Sequence, residues 1–178
     1  MLQTMNELNE VWEQLINEAS KNPQAIEGRE GLAEFIAVKT ANDAVRETSV
    51  KWLLDTMRKA AEHANLKNAN IKIENQDSHR FSMEKMHLAG ALLRFRQGVR
   101  CLTVEAGWTR TPTDGFMRGN ALAVARITHF GMARSNAELH LLRHEDRPQW
   151  FTISQNGMRI SFEIEDLIKH FQVFLGIG

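Results

Sequence analysis

The chain has 178 residues, 43% of them apolar and 25% charged, with 22 basic against 22 acidic side chains, three prolines and one cysteine. That suffices for one domain with a substantial core and argues against a disordered tail, a disulfide framework or a Cys-x-x-Cys zinc site. No apolar run approaches the ~18 residues that cross a bilayer, and the acidic start MLQTMNELNEVWEQL does not read as a signal peptide, so a cytoplasmic protein is expected.

Thr4 and Glu7 have capping-box spacing, and Leu8, Val11, Trp12, Leu15, Ile16 and Ala19 follow at helical intervals, which predicts a first helix ending at SKNPQ. A second helical region comes after Gly28 and Gly31, with Leu32, Phe35 and Ile36, then Val45, Trp52, Leu53 and Ala60. It reads as one helix to about Ala64, or as two with a new start capped by Asn42 or Asp43. From Ile71 the apolar period shortens to two. A turn at Gln97-Gly98 would pair Phe95 with Arg100, Leu93 with Leu102, Ala91 with Val104 and Ala89 with Ala106, leaving Arg94, Cys101, Thr103 and Glu105 on the other face. NALAVARITHF reads as a further strand. A turn at Asn156-Gly157 would pair Ile153 with Ile160 and Phe151 with Phe162, with Trp150, Thr152 and Arg159 off the core face. EDLIKHFQVFLG closes the chain as an amphipathic helix stopped by Gly176.

This order predicts an α+β fold: N-terminal helices packed on one face of an antiparallel meander of about six or seven strands, with a short C-terminal helix. A single domain is expected, with a helical region over 1–68, the sheet over 70–164 and the last helix over 165–176.

Charge is unevenly placed. Residues 1–70 carry eight basic and eleven acidic side chains, whereas residues 94–147 carry nine arginines, no lysine and five acids. The planar guanidinium fork suits carboxylate and phosphate, so this half points to an acidic partner or to the acidic helices of the same chain. The polar stretch 109–120 is long for a hairpin connection. There Arg110 and Arg118 could converge on an anion while Thr109, Thr111 and Thr113 donate hydroxyls. Equally, Pro112 and Asp114-Gly115 are turn chemistry, with Phe116 and Met117 tucking the loop onto the core.

Several chemistries find no support. Neither glycine-rich phosphate motif occurs, nor a Gly-x-Ser-x-Gly elbow. In SNAELHLLRHED, a strand places His140 and His144 on one face about 13 Å apart at ~3.3 Å per residue, too far to share a metal; a helix would bring them within reach. Strand neighbours favour the strand. His129 and Arg126 fall on opposite strand faces, Cys101 lies mid-strand, and Glu74, Asp77, His79 and Glu84 form a polar group around the first strand.

Three functions are compatible with these residues. The preferred one is a non-catalytic binding or assembly protein whose Arg-rich sheet face, with Arg94, Glu105, Arg110 and Arg118 as ligand-binding candidates, meets an acidic protein or a second copy. The alternative is a small-molecule-binding protein or enzyme that holds an anionic ligand under the 109–120 loop, with Glu105 as a candidate base. The last is single-stranded nucleic-acid binding, which zero net charge disfavours. No catalytic residue, cofactor or metal ligand is assigned, no membrane contact is expected, and whether the chain is an enzyme stays open.

Overall fold

The computed structural model describes residues 26–145, 147–154 and 156–177. The helix expected from Leu8 to Ala19 lies outside these residues, as do the side chains of Leu32 and Phe35. Two compact units divide the chain, Met1–Asp43 and Ala44–Gly178. Helix α1 runs Ile26–Leu66 without a break. Asp43 does not cap a new start; its carboxylate pairs with Lys39 one turn earlier at 3.1 Å, the i,i+4 spacing that supports a continuing helix.

In the second unit, Val50, Leu53, Leu54, Met57 and Ala61 form the buried stripe of α1. Their 3.6-residue spacing fits a helix laid on a sheet. Asn65 ends the helix: its amide donates to Ile71 O at 2.9 Å and its oxygen accepts from Ile71 N at 2.7 Å. Asn68 and Asn70 turn the chain with positive φ, which asparagine tolerates better than most residues.

Seven strands follow: β1 (Lys72–Met83), β2 (Met86–Gln97), β3 (Arg100–Trp108), β4 (Ala123–His129), β5 (Ala137–His144), β6 (Arg147–Ile153) and β7 (Arg159–Ser161). They form one antiparallel sheet in chain order, so the expected α+β meander is what forms. Residues 137–144 are strand, as their neighbours suggested. Helix α2 (Ile164–Leu175) closes the chain, with Asp166 accepting the Glu163 N–H at 3.1 Å and Gly176 left-handed at φ 72°. Arg100 donates to the Leu175 carbonyl, placing a cation at the negative end of α2.

The inner face of the sheet carries Leu93, Phe95, Leu102, Val104, Ala106, Ala125, Ile127, Leu139 and Leu141, packed against α1 and α2. Phe95 meets the ring of Phe171 edge-on at 5.9 Å. Arg46 Nε donates to Leu122 O at 2.8 Å and ties α1 to the sheet.

Two turns sit differently from expectation. Gly98, with φ 58°, takes the first central position of the β2–β3 turn, where a type II′ turn calls for glycine, and Val99 becomes the second. Phe95 therefore faces Leu102 and Leu93 faces Val104; a shift of two leaves both faces unchanged but puts Cys101 opposite Arg96. Between β6 and β7, Ser154 N bonds to Met158 O at 2.9 Å, so three residues rather than two make the connection. The pairs become Phe151 with Ser161 and Thr152 with Ile160. This one-residue slip moves Trp150 from its expected outward position into the inner core, 3% exposed, with its indole N–H on Ser49 O at 3.4 Å.

The outer face is not a solvated surface throughout. Phe81, Met83, Met86, Leu88, Val124, Leu142 and Phe151 form a second, smaller apolar cluster there.

At the end of β4 sits His129, 2% exposed. Burial, and then the neighbouring His170, lower its pKa from 6.5 to about 4. Burial lowers His170 and His140 as well. An unfolded chain takes up protons near 6.5 whereas the folded one resists until about 4, so stability is complete above 6.5 and falls as pH drops through that window. The urea midpoint should decline steadily across it. A midpoint that stays level until carboxylates titrate would contradict a buried neutral imidazole.

Candidate functional site

Four strand spacings of ~4.8 Å would hold β1 and β5 about 19 Å apart in a flat sheet. Instead, Met83, Glu84 and Met86 at the β1–β2 turn line one cavity with Glu138, His140 and Leu142 of β5, Ile153 of β6 and Arg159 of β7. The outer face is therefore concave. Two sequence features make the curl. Gly90 and Gly107 are direct partners on β2 and β3, and the backbones approach so closely that a Cβ on Gly90 would lie 2.6 Å from Gly107 Cα. A register irregularity between Gln76 and His79 bends β1 over the same point.

Across the bare glycine pair, His79 Nε2 reaches Glu105 Oε2 at 2.8 Å, and its ring stacks on Phe81 at 5.6 Å. Glu105, 8% exposed, also accepts from Arg126 Nε at 2.8 Å. Arg126 stands opposite Glu138 on β5, so a charged row crosses the face and ends at the cavity wall.

The cavity measures about 330 Å³. Its floor is Met83, Met86, Leu142 and Ile153; its polar groups are Arg118, Arg159, Glu84, Glu138 and His140. Arg118 pairs with Glu84, while Arg159 makes no ion pair among the described residues. Burial lowers the His140 pKa, which Glu138 and Glu84 partly offset, so its imidazole is neutral and able both to donate and to accept.

No protein-family model matches this chain, and no curated protein or solved structure matches it either. The cleft must be read from its own chemistry.

Of the four ligand-binding candidates Arg94, Glu105, Arg110 and Arg118, the structure brings only Arg118 to the cleft, where Glu84 and His140 join it. Arg94 pairs with Glu74 at 3.3 Å, and Arg96 shares that carboxylate at 3.4 Å. Glu105 does not line the cleft and is paired with His79 and Arg126. The guanidinium of Arg110 sits 3.8 Å over the Trp108 ring, a cation–π contact. The acids and histidine grouped around β1 disperse: Glu74 to Arg94, His79 to Glu105, Glu84 to Arg118.

The 109–120 stretch joins neighbouring strands and also walls the cleft. Asp114 accepts from the N–H groups of Arg110 and Thr111 at 3.1 and 2.9 Å, and from the Thr111 hydroxyl at 2.9 Å. These bonds, the one from the Thr111 backbone foremost, hold its carboxyl below the usual range. The Thr111 and Thr113 hydroxyls also bond each other at 2.8 Å, so they are spent within the turn. Met117 packs inward as expected, but Phe116 does not and stays 81% exposed. A Cβ on Gly115 would lie 3.0 Å from Lys85 O; this contact seats the loop on the β1–β2 turn and delivers Arg118 to Glu84.

His140 and Arg159 join the site only through the curl, which local patterning does not report. Among the described residues no three His, Cys, Asp or Glu side chains come together as a metal-holding group.

Proposed function

We propose that this protein binds a small molecule made of one anionic group on an apolar body, held in the cleft beneath the β1–β2 turn. The observation that carries this reading is the arrangement of Arg118 and Arg159, on separate elements, over a floor of Met83, Met86, Leu142 and Ile153. A volume of about 330 Å³ lies at the small end of ligand cavities. A carboxylate or phosphate ester would take Arg159 and compete with Glu84 for Arg118, while the neutral His140 donates to it.

A second reading is docking of an acidic protein or another copy on the β1 side of the sheet. What favours it is the sharing of one carboxylate, Glu74, by Arg94 and Arg96, which leaves a positive charge in surplus. Trp150, buried in the core, offers nucleic-acid bases no stacking surface. No described helix is long and apolar enough to cross a membrane.

Native mass spectrometry of the purified protein, followed by calorimetric titration with octanoate and with phenyl phosphate, separates the two readings. Binding to the cleft should weaken about tenfold in Arg159→Gln and in Arg118→Gln, the loss of one charge-assisted hydrogen bond each. Affinity unchanged in both variants would reject the cleft. An oligomer without added mass, dissociated by salt, would favour the docking surface.

A further inference from the structure

On the inner face, away from the cleft, a second cavity of about 330 Å³ opens between α2, the β4–β5 connection and β7. Its polar lining is rich in donors. Arg134 makes no ion pair among the described residues. Lys169 gives one bond to Asp166 Oδ1 at 3.0 Å and keeps two N–H groups. Asn136 uses its oxygen on the His129 N–H at 2.8 Å, which leaves its NH₂ free to donate. Two of its acceptors are engaged within the fold: the other Asp166 oxygen caps Glu163 N, and the Ser161 hydroxyl is bonded to Gln149 and Glu163. Phe162, Val173 and Ile160 supply an apolar wall.

His170 lines this cavity, and behind it His129 Nε2 lies 3.0 Å from His170 Nδ1. Only one proton fits between two neutral rings. If His170 gave it, His129 would carry its own proton on Nδ1, which is buried with no hydrogen-bond partner among the described residues. A buried N–H without an acceptor is among the costlier defects in a fold. If His129 gives the proton, its Nδ1 is a bare lone pair, the milder defect, and the proton of His170 must sit on Nε2. The choice of tautomer follows from this network.

We infer that this cavity is a second ligand site, for an oxyanion on an apolar carrier, in which His129 fixes His170 as an Nε2–H donor beside Arg134 and Lys169. His129 is a positioning residue: it touches no ligand and acts through the ring it orients. The site differs from the cleft in sheet face and in every lining residue, so neither depends on the other.

The test uses the full chain labelled with ¹⁵N-histidine, titrated with phenyl phosphate at neutral pH and read by ring nitrogen-proton correlation. The free protein should show His170 protonated on Nε2 and His129 bare on Nδ1. Phenyl phosphate should shift the His170 Nε2–H saturably, and Arg134→Gln, on an exposed turn, should raise the dissociation constant about five- to tenfold without changing the tautomers. His129→Gln should scramble the His170 tautomer and weaken binding by a similar factor. A His170 proton found on Nδ1, a shift that never saturates, or equal affinity in Arg134→Gln would overturn the inference. So would binding that is lost in Arg159→Gln and kept in Arg134→Gln, which would assign the compound to the cleft alone.

Discussion

Gly90→Ala should destabilise the fold by about 3 kcal/mol or more, although alanine is ordinarily no worse than glycine in a strand. The reason is where the added methyl would go. It would meet the Ala106 carbonyl and lie 2.6 Å from Gly107 Cα and 2.8 Å from Ala106 C, all backbone atoms of the partner strand. No rotamer change relieves such a clash, so β2 and β3 must separate at the point where the sheet curls. Gly107→Ala should behave alike, since its Cβ would sit 2.7 Å from Ala89 O. Gly98→Ala makes a control: nothing lies within 4 Å of its Cβ site and only its φ of 58° resists a side chain, so its cost should be about 1 kcal/mol. Urea denaturation of the three variants measures the difference. Equal costs at Gly90 and Gly98 would mean that the strands have room to part and that the curl has another origin. If the curl fails, the cleft should fail too, because β1 and β5 line it together only while the sheet is bent.

The same glycine pair shows what could and could not be read from the sequence. Alternation and turn residues identified the strands, the meander order and the closing helix, because these are set by neighbours in the chain. Register needed more. Gln-Gly could be read with glycine in either central position, and the misreading by two was harmless to the faces. Asn156-Gly157 sits in a connection one residue longer than the shortest hairpin, and that single residue exchanged the faces of Trp150 and Phe151. The outer apolar cluster had a local signal that one-sided reasoning discounts: Val124 lies between Ala123 and Ala125, and Leu88 and Leu142 each adjoin an apolar residue, Ala89 and Leu141. Arg118 was legible as a candidate for anion contact because it lies in a long connection. Arg159 and His140 were not, since their approach to Glu84 depends on a bend made by two glycines and an irregularity far from both.

Glu105→Ala should cost about 3 kcal/mol, at the lower edge of what breaking a buried ion pair costs, because Arg126 retains access to water at 37% side-chain exposure. The carboxylate accepts from Arg126 on one oxygen and meets His79 on the other, so its removal strands two groups at once. Glu105→Gln keeps the shape and one acceptor and should cost about half as much. The decisive measurement is a double-mutant cycle with Arg126→Ala. If the two side chains act as a pair, the double variant should be more stable than the sum of the single losses predicts, by about 1 to 2 kcal/mol, because the second deletion removes a charge that the first left unanswered. Additive losses would mean that water already satisfies Arg126 and that Glu105 is held by His79 alone. A coupled result carries a further consequence for the cleft. Arg126 faces Glu138 across the strands, so a guanidinium clamped by Glu105 leaves the Glu138 carboxylate on the cleft wall less than fully neutralised. Deleting Glu105 would let Arg126 swing to Glu138 and make the cleft more positive. The Glu105→Ala protein, though less stable, should then bind octanoate more tightly than the parent.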